Sequence, residues 1–444
     1  MNNPTVSIIG FGRFGQVLYR LLKEDFTVTL YQRHEIDSSL LNKTTKIATS
    51  LDDVYKSDVI FYATPIETFE KVIQTHKKHF RQGQLLIDVL SVKLHPLKVF
   101  TKNLNGTGVQ AILTHPMFGP DSSKNGFQDL PMIMDRFTSS HKSYDFWKGF
   151  FSSKGLRIVE ISAREHDRSA ANSQGLTHFI GRLLDLYGLT PTPIDSLGTK
   201  KLLEIKEQTC NDTWQLFNNL QHFNPYTMGM RLKLESKYDL LFNKLLPKRT
   251  NSKYLTFGIQ GGKGSFNEKA INQYVSDAEI TKYKIKYLYT SENVLKALHK
   301  GEIDFGQFAI HNSIGGVVGE SIRAMAKYKF KIVKEFGIPI AHALMIRQDA
   351  QIEDIDTIMT HPQVLAQCKT TLSSKYPQLT KTSGTGILVD HAVVAKRLSA
   401  GKLPTSMAVI GSDILAKIYN LKIVENNLQD LSNNVTSFLI VSRI

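Results

Sequence analysis

The chain has 444 residues, 41% hydrophobic and 21% charged, a globular composition that excludes intrinsic disorder and is long enough to predict several domains. Its formal net charge of +15 favours anionic partners, but the lysines are scattered rather than gathered into a basic tract with interleaved aromatics, so small anions are expected and nucleic acid is not. No apolar run approaches the roughly 20 residues that span a bilayer. The segment Met1–Pro4 lacks signal-peptide character, and Cys210 and Cys368 fit neither a disulfide framework nor a metal site. These features predict a cytoplasmic protein with no membrane contact and no metal.

Val6–Ile9 reads as a buried strand running straight into Gly10-Phe11-Gly12-Arg13-Phe14-Gly15, followed by a helical pattern at Val17, Leu18, Leu21 and Leu22. In that context the glycines have separate tasks: a tight turn, close backbone approach to a pyrophosphate, and helix packing on strand. A Rossmann dinucleotide site is expected, with Gly10, Gly12, Arg13, Phe14 and Gly15 at the cofactor. The second strand, ending at Tyr31, is followed by Gln32-Arg33-His34, with no immediate acid for a free ribose. Arg33 suits a 2′-phosphate, so NADP is preferred and NAD is the alternative, in which Arg33 is only a solvated loop charge.

Further strands run over residues 58–63, ending at Thr64-Pro65, and over residues 84–89, followed by Leu90-Ser91-Val92-Lys93. Ser91 then lies at the cofactor edge of the sheet, with helix capping as its other reading. The run Val109–Leu113 is stopped by Pro116, Gly119 and Pro120, which leaves His115 at a strand's C-terminal end. From Ser162 the pattern turns helical. Ser162-Ala163-Arg164-Glu165 is a capping box, and one helix is predicted from it to Gly188, with Asp167, Ala171, Gln174 and His178 along one face.

Together, the glycine loop, Asp88-Val89-Leu90-Ser91-Val92-Lys93, Thr114-His115-Pro116-Met117-Phe118-Gly119-Pro120, Glu165-His166-Asp167-Arg168 and Ser173-Gln174-Gly175-Leu176-Thr177-His178 resemble the prephenate and arogenate dehydrogenase family, nearest its plant type. The resemblance covers about the first 245 residues. It implies an NADP-binding Rossmann domain (1–160) and an all-α substrate and dimerisation domain (161–246), hence a homodimer. It further implies that His115 accepts the proton of the substrate's ring hydroxyl as hydride leaves the same carbon, with loss of CO2. Ser91 would share that hydroxyl, and Gln174 and His178 would line the pocket. Where the family commonly offers an arginine near Gly198, this chain has Thr199-Lys200-Lys201, so Lys200 is the expected carboxylate partner. Asp121 could pair with an ammonium group if the substrate is arogenate; the choice between prephenate and arogenate stays open.

Residues 247–253 read as a linker, after which α/β rhythm resumes. Gln260-Gly261-Gly262-Lys263-Gly264-Ser265-Phe266 lacks Walker spacing, and its amides before a helix suit a carboxylate. Residues 308–316 end a strand in His311-Asn312-Ser313. Thr360-His361-Pro362-Gln363 starts a helix with capping-box spacing, and residues 434–441 form a terminal strand. In this order the segments resemble prephenate dehydratase over residues 254–444, without the ACT regulatory domain common in that family. The resemblance implies a two-lobed, periplasmic-binding-protein-like α/β fold. It assigns Thr436 to hydroxide departure and Ser265, Asn312, Ser313 and Thr385 to the cleft. Two positions depart from the family pattern: His311 stands for a glutamate and Ser437 for an arginine.

The expected function is therefore a bifunctional enzyme of aromatic amino acid biosynthesis, a dehydrogenase fused to a dehydratase acting on small molecules. The alternative is a dehydrogenase whose C-terminal half only senses a ligand or serves as scaffold. A decarboxylase that keeps the hydroxyl is a third reading of that half.

Overall fold

A computed structural model describes residues 3–250 and 253–444. Met1 and Asn2 of the N-terminal segment, and Asn251 and Ser252 of the expected linker, lie outside the described residues. The chain forms two compact units, residues 1–235 and 236–444, which divide inside the Thr227–Leu245 helix, ahead of the expected linker.

The first unit is built on an eight-stranded sheet. In chain order its strands are β1 (Val6–Ile9), β2 (Val28–Tyr31), β3 (Lys46–Ile47), β4 (Val59–Tyr62), β5 (Leu85–Asp88), β6 (Gln110–Pro116), β7 (Pro131–Asp135) and β8 (Arg157–Glu160), arranged β3-β2-β1-β4-β5-β6-β7-β8. From β3 to β6 every pairing is parallel, and β7 then runs antiparallel to β6. β1, β4 and β5 are buried on both faces because helices cover both sides. The two resulting cores lie on opposite faces, one around Trp147, Phe61 and Leu18, the other around Tyr62, Phe69 and Phe100.

Order reverses between β1 and β4, and the Arg13–Leu22 helix starts at that switch point, where an open α/β sheet binds its ligand. Gly10 takes φ +99°, and a Cβ there would meet the Ala63 carbonyl oxygen at 2.4 Å. A Cβ on Gly15 would lie 2.1 Å from the Gly10 carbonyl oxygen, so both glycines are required by close packing.

The predicted single helix from Ser162 to Gly188 is two. Ala163–Asn172 and Gln174–Tyr187 are separated by Ser173, whose φ −117° and ψ −89° interrupt the ladder. The capping box forms as expected, and Gly188 closes the second helix in the left-handed region at φ 80°. Three more helices follow: Leu197–Cys210, Trp214–Phe223 and Thr227–Leu245.

The second unit has two sheets. β9 (Leu255–Ile259), β10 (Tyr283–Tyr287), β11 (Phe305–Asn312), β12 (Gly316–Val317) and β13 (Lys331–Pro339) precede β14 (Ala343–Arg347), β15 (Thr357–Met359), β16 (Thr380–Thr382), β17 (Met407–Gly411), β18 (Leu421–Glu425) and β19 (Val435–Ser442). One sheet is ordered β10-β9-β11-β19-β13, with β12 beside β11, and the other β16-β15-β17-β14-β18. The chain passes between them after β13 and returns after β18, which gives two α/β lobes. No helix among the described residues is long and apolar enough to cross a membrane.

Candidate active sites

His115 lies on β6 and is 3% exposed. Its Nδ1 is 2.8 Å from Nε2 of His166, and Nδ1 of His166 is 2.8 Å from Oδ1 of Asp167. Asp167 is held by the backbone amides of Lys93 at 2.7 Å and Leu94 at 2.9 Å. These contacts assign the protons. A carboxylate only accepts, so His166 donates from Nδ1 and accepts at Nε2; His115 must then donate from Nδ1, which leaves its Nε2 as a lone pair. Burial, reinforced by the repulsion of the Lys93 charge and of any charge His166 would gain, holds the His115 pKa well below its ordinary 6.5, so the ring is neutral at neutral pH.

The loop after β5 is fixed from beneath. Lys93 Nζ contacts Asp88 and the Thr114 carbonyl, both wholly buried, which ties Ser91's loop to the residue before His115. Desolvation raises the Asp88 carboxyl to about 6 and lowers the Lys93 ammonium, yet the Leu90 and Thr114 amides also donate to Asp88 and favour its ionised form. Ser91 Oγ is buried without a partner, so it caps no helix and is available to a ligand.

On the second helix, Gln174 Oε1 and His178 Nδ1 are likewise buried and unpartnered. Asp167, expected on their face, lies beyond the break and is engaged with His166. Lys200 is exposed near the start of the Leu197–Cys210 helix and joins none of these groups. A different cation does. Arg182, four residues after His178, is 7% exposed, lies over the Trp214 ring at 4.9 Å, donates to the Asp212 carbonyl and keeps Nε unpartnered. The i, i+4 spacing from His178 was the available signal for it.

At the glycine loop, Arg13 reaches Asp212 Oδ1 at 3.3 Å and the Asn211 carbonyl at 3.1 Å, with Asp121 at 3.5 Å. Asp121 and Arg13 are both at least half exposed. Phe14 packs on Phe118, with ring centroids 6.3 Å apart. Gly12 has open space where a Cβ would be, and the helix behind it has no side-chain cap, so its first amides are free for phosphate. Thr64 Oγ1, at the end of β4, is buried and unpartnered, and Pro65 opens the next helix. Arg33 stands exposed beyond β2. This cradle fits a dinucleotide.

In the second unit, Asn312 and Thr436 face each other across β11 and β19. Asn312 Nδ2 donates to Thr436 Oγ1 at 2.9 Å, while its Oδ1 accepts the Ile314 and Gly315 amides at 3.0 and 2.7 Å. Thr436 is therefore an acceptor toward Asn312 and keeps its own proton to give. Ser313 is exposed and accepts the Val435 amide at 2.9 Å.

Ser265 is buried and caps the Phe266–Asp277 helix. The glycine-rich amides expected to receive a ligand carboxylate are partly taken by the chain's own: Gly262 N donates to Asp390 at 2.5 Å and Gly264 N to Glu268 at 2.6 Å. Thr385 is exposed and precedes a short 3-10 turn, without a contact to this group. The cap of the Pro362–Gln367 helix is His361, whose Nδ1 accepts the Gln363 amide, rather than Thr360, which donates to the Ile410 carbonyl.

Fold and site define a dinucleotide-binding Rossmann domain followed along the chain by a two-lobed α/β domain. The nucleotide-binding domain of prephenate dehydrogenase matches residues 21–155, a TYRAAT1-like C-terminal domain residues 183–254, and prephenate dehydratase residues 257–444. Arogenate dehydrogenase 1 (chloroplastic) of Arabidopsis thaliana is 34% identical over 249 residues, covering 54% of this chain and 39% of that one. Arogenate dehydrogenase 2 (chloroplastic) of the same plant is 30% identical over 249 residues, covering 54% and 69%. The Arabidopsis arogenate dehydratase/prephenate dehydratase 2 (chloroplastic) is 29% identical over 209 residues, covering 45% and 52%. The chain thus spans only 39% to 69% of the length of these relatives. It belongs to the arogenate dehydrogenase family and carries, after the dehydrogenase part of the chain, a domain that matches prephenate dehydratase.

Proposed function

We propose that this chain is a bifunctional enzyme at the prephenate branch point, an NADP-dependent oxidative decarboxylase in its first unit and a prephenate dehydratase in its second. The single observation that carries the first activity is the His115–His166–Asp167 chain, because it delivers a neutral imidazole with a fixed lone pair at the ligand edge of the sheet. When bound, the nicotinamide supplies the hydride acceptor. The protein's own part is to position and deprotonate. His115 Nε2 takes the ring-hydroxyl proton, and Ser91 hydrogen-bonds the same oxygen. Gln174 and His178 line the pocket, and Arg182 takes the carboxylate role first expected of Lys200, with Asp121 left for an alanyl side chain.

Arg33 beyond β2, with no acid directly after that strand, supports NADP over NAD. Thr64 and Pro65 border the same edge. Large apolar side chains exposed on the helical region, Leu186, Tyr187, Ile194 and Leu197 among them, support a homodimer formed there. Two unpaired cysteines suit a reducing cytoplasmic setting. The segments read from the sequence, 161–246 and 254–444, are taken as the two substrate domains, although the compact units divide earlier, between residues 235 and 236.

For the second unit, the register places the two departures, His311 and Ser437, directly opposite each other and one residue out of phase with Asn312 and Thr436. Strand alternation sends them to the other face of the sheet. The Asn312–Thr436 pair is thus left intact, which supports catalysis over a ligand-sensing role: Thr436 donates to the departing hydroxide while the carboxylate leaves as CO2.

The test uses the full chain. His115→Asn should abolish nucleotide reduction with prephenate or arogenate while NADP binding, read by fluorescence titration, is kept. Persisting reduction would show that His115 is not the base. Without nucleotide, phenylpyruvate formation from prephenate above the spontaneous rate is expected from wild type and from His115→Asn alike.

A further inference from the structure

The second unit holds another group of buried polar side chains. His391 opens the His391–Ser399 helix and is 9% exposed, and both of its ring nitrogens are buried without a hydrogen-bond partner. A neutral imidazole always carries one N–H and one lone pair, so either tautomer leaves a buried donor and a buried acceptor unsatisfied. The ring packs on Phe266, with centroids 5.7 Å apart, and a Cβ on Gly411 would come within 2.7 Å of its Cδ2, so the ring is tightly enclosed.

This ring is not isolated from the Thr436 site. Asn312 Nδ2 donates to Asn434 Oδ1 at 2.5 Å, Asn434 Nδ2 donates to Gln367 Oε1 at 2.7 Å, and His342 Nε2 shares that same oxygen at 2.6 Å. His342 meets Phe266 edge-on, with centroids 5.2 Å apart, and its Nδ1 is also buried and bare. A hydrogen-bonded chain therefore leads from Thr436 to His342, and His342 and His391 both pack on Phe266. The neighbouring carboxylate, Asp390, is committed to the Gly262 and Ala392 amides, so it does not hold a proton on His391.

We propose that His391 contacts the ligand of the C-terminal site, donating to the side-chain carboxylate, the one that phenylpyruvate retains, and taking up a proton as that carboxylate binds. This rests on the dehydratase reading of the second unit. Burial holds His391, His342 and His361 each at about 4, so at neutral pH they are uncharged. The groups facing His391 are His342 from the segment before β14, His361 at the cap of the Pro362–Gln367 helix, and Asp390 at its own helix cap. An incoming carboxylate reverses the balance for the ring it touches, since an opposite charge at contact favours imidazolium. Such a charge-assisted contact is stronger than a neutral one.

The experiment is calorimetric titration of the nucleotide-free full chain with phenylpyruvate near pH 7, in two buffers of different ionisation enthalpy, alongside prephenate turnover. Wild type should take up a fraction of a proton on binding. His391→Gln, a neutral donor of similar reach, should lose that uptake, weaken phenylpyruvate binding and raise the prephenate KM, each by about tenfold, with little change in kcat. If wild type dehydrates prephenate but shows no proton uptake, or His391→Gln retains both uptake and KM, the His391 assignment is overturned while the dehydratase reading stands. If wild type binds with uptake that His391→Gln abolishes yet forms no phenylpyruvate, the contact stands and the dehydratase reading falls. Should His391→Gln fail to fold, the wild-type proton uptake alone decides, and its absence overturns the proposal.

Discussion

Asp167 accepts two backbone amides as well as the His166 ring, so its charge is fixed in position before any ligand arrives. That fixity makes the His115 tautomer a consequence of a carboxylate it does not touch. Asp167→Asn would offer an N–H where His166 now finds an acceptor, allowing the chain of donors to reverse and a proton to sit on His115 Nε2. Oxidation should then lose about 10²- to 10⁴-fold in kcat with KM little changed, the range for a general base in the wrong tautomer. Steady-state kinetics, with thermal unfolding as the folding control, checks it. The pH profile gives a second reading. His115 works unprotonated, and its pKa in the folded protein lies well below 6.5, so kcat/KM should stay level as pH falls through 6.5 and decline only far below it. An acid limb at or above 6.5 would contradict the assignment. The same depression means that His115 contributes stability above its unfolded pKa and loses it as pH falls toward the folded value. His115 itself was legible, because Pro116, Gly119 and Pro120 stop the strand and leave it at the strand's C-terminal end. Its partner was not: His166 lies 51 residues away, and the sequence shows only that it precedes Asp167.

At the scale of elements, the strand, glycine loop and helix at the N-terminus were readable because each glycine answers a local steric demand, and the Ser162–Glu165 box and Gly188 marked the outer ends of the helical stretch correctly. The break at Ser173 was not readable. Helical periodicity continues through it, and the interruption comes with tertiary packing: Gln221 donates to the Gly175 carbonyl at 2.8 Å, and a Cβ on Gly175 would press on Thr227 at 3.3 Å. Propensity and pattern carry no information about a neighbour that arrives later in the chain. The same helix is pinned further along, where a Cβ on Gly181 would lie 1.9 Å from Thr209 Oγ1 and 3.1 Å from the Ile205 carbonyl. Neither atom is the far end of a flexible side chain, so the two helices must separate. Gly181→Ala should therefore destabilise the first unit by about 1–3 kcal/mol despite alanine's better helix propensity. Because His178 and Arg182 flank this contact, the prediction carries a functional arm: oxidation should lose substrate affinity while the nucleotide-free reaction of the second unit is unaffected. Denaturant unfolding followed by both assays separates the two effects.

At the scale of the molecule, the two units have separate cores and separate candidate catalytic groups, His115 in one and Thr436 in the other. The fusion was legible because each half repeats its own ordered set of motifs, whereas the division inside the Thr227–Leu245 helix was not, since that helix is continuous in pattern. If both sites draw on one pool of prephenate, the ratio of oxidised to dehydrated product is set by the two values of kcat/KM while prephenate stays well below both KM values, and moves to the ratio of the two kcat values as both sites saturate. Removing NADP should send the whole flux to phenylpyruvate, and raising it should divert flux until the first site saturates. Thr436→Val keeps the shape of the side chain and removes the hydroxyl that Asn312 orients, so it should suppress the dehydrated product by about 100-fold, the scale of one positioned proton donor. In the same variant, oxidation should proceed at its wild-type kcat/KM. Product analysis across a range of prephenate concentrations, with and without NADP, gives both quantities in one experiment. A ratio that departs from the curve calculated from each site's own kcat and KM would mean that the sites are coupled, and an oxidation rate that falls with Thr436→Val would locate that coupling in the second unit.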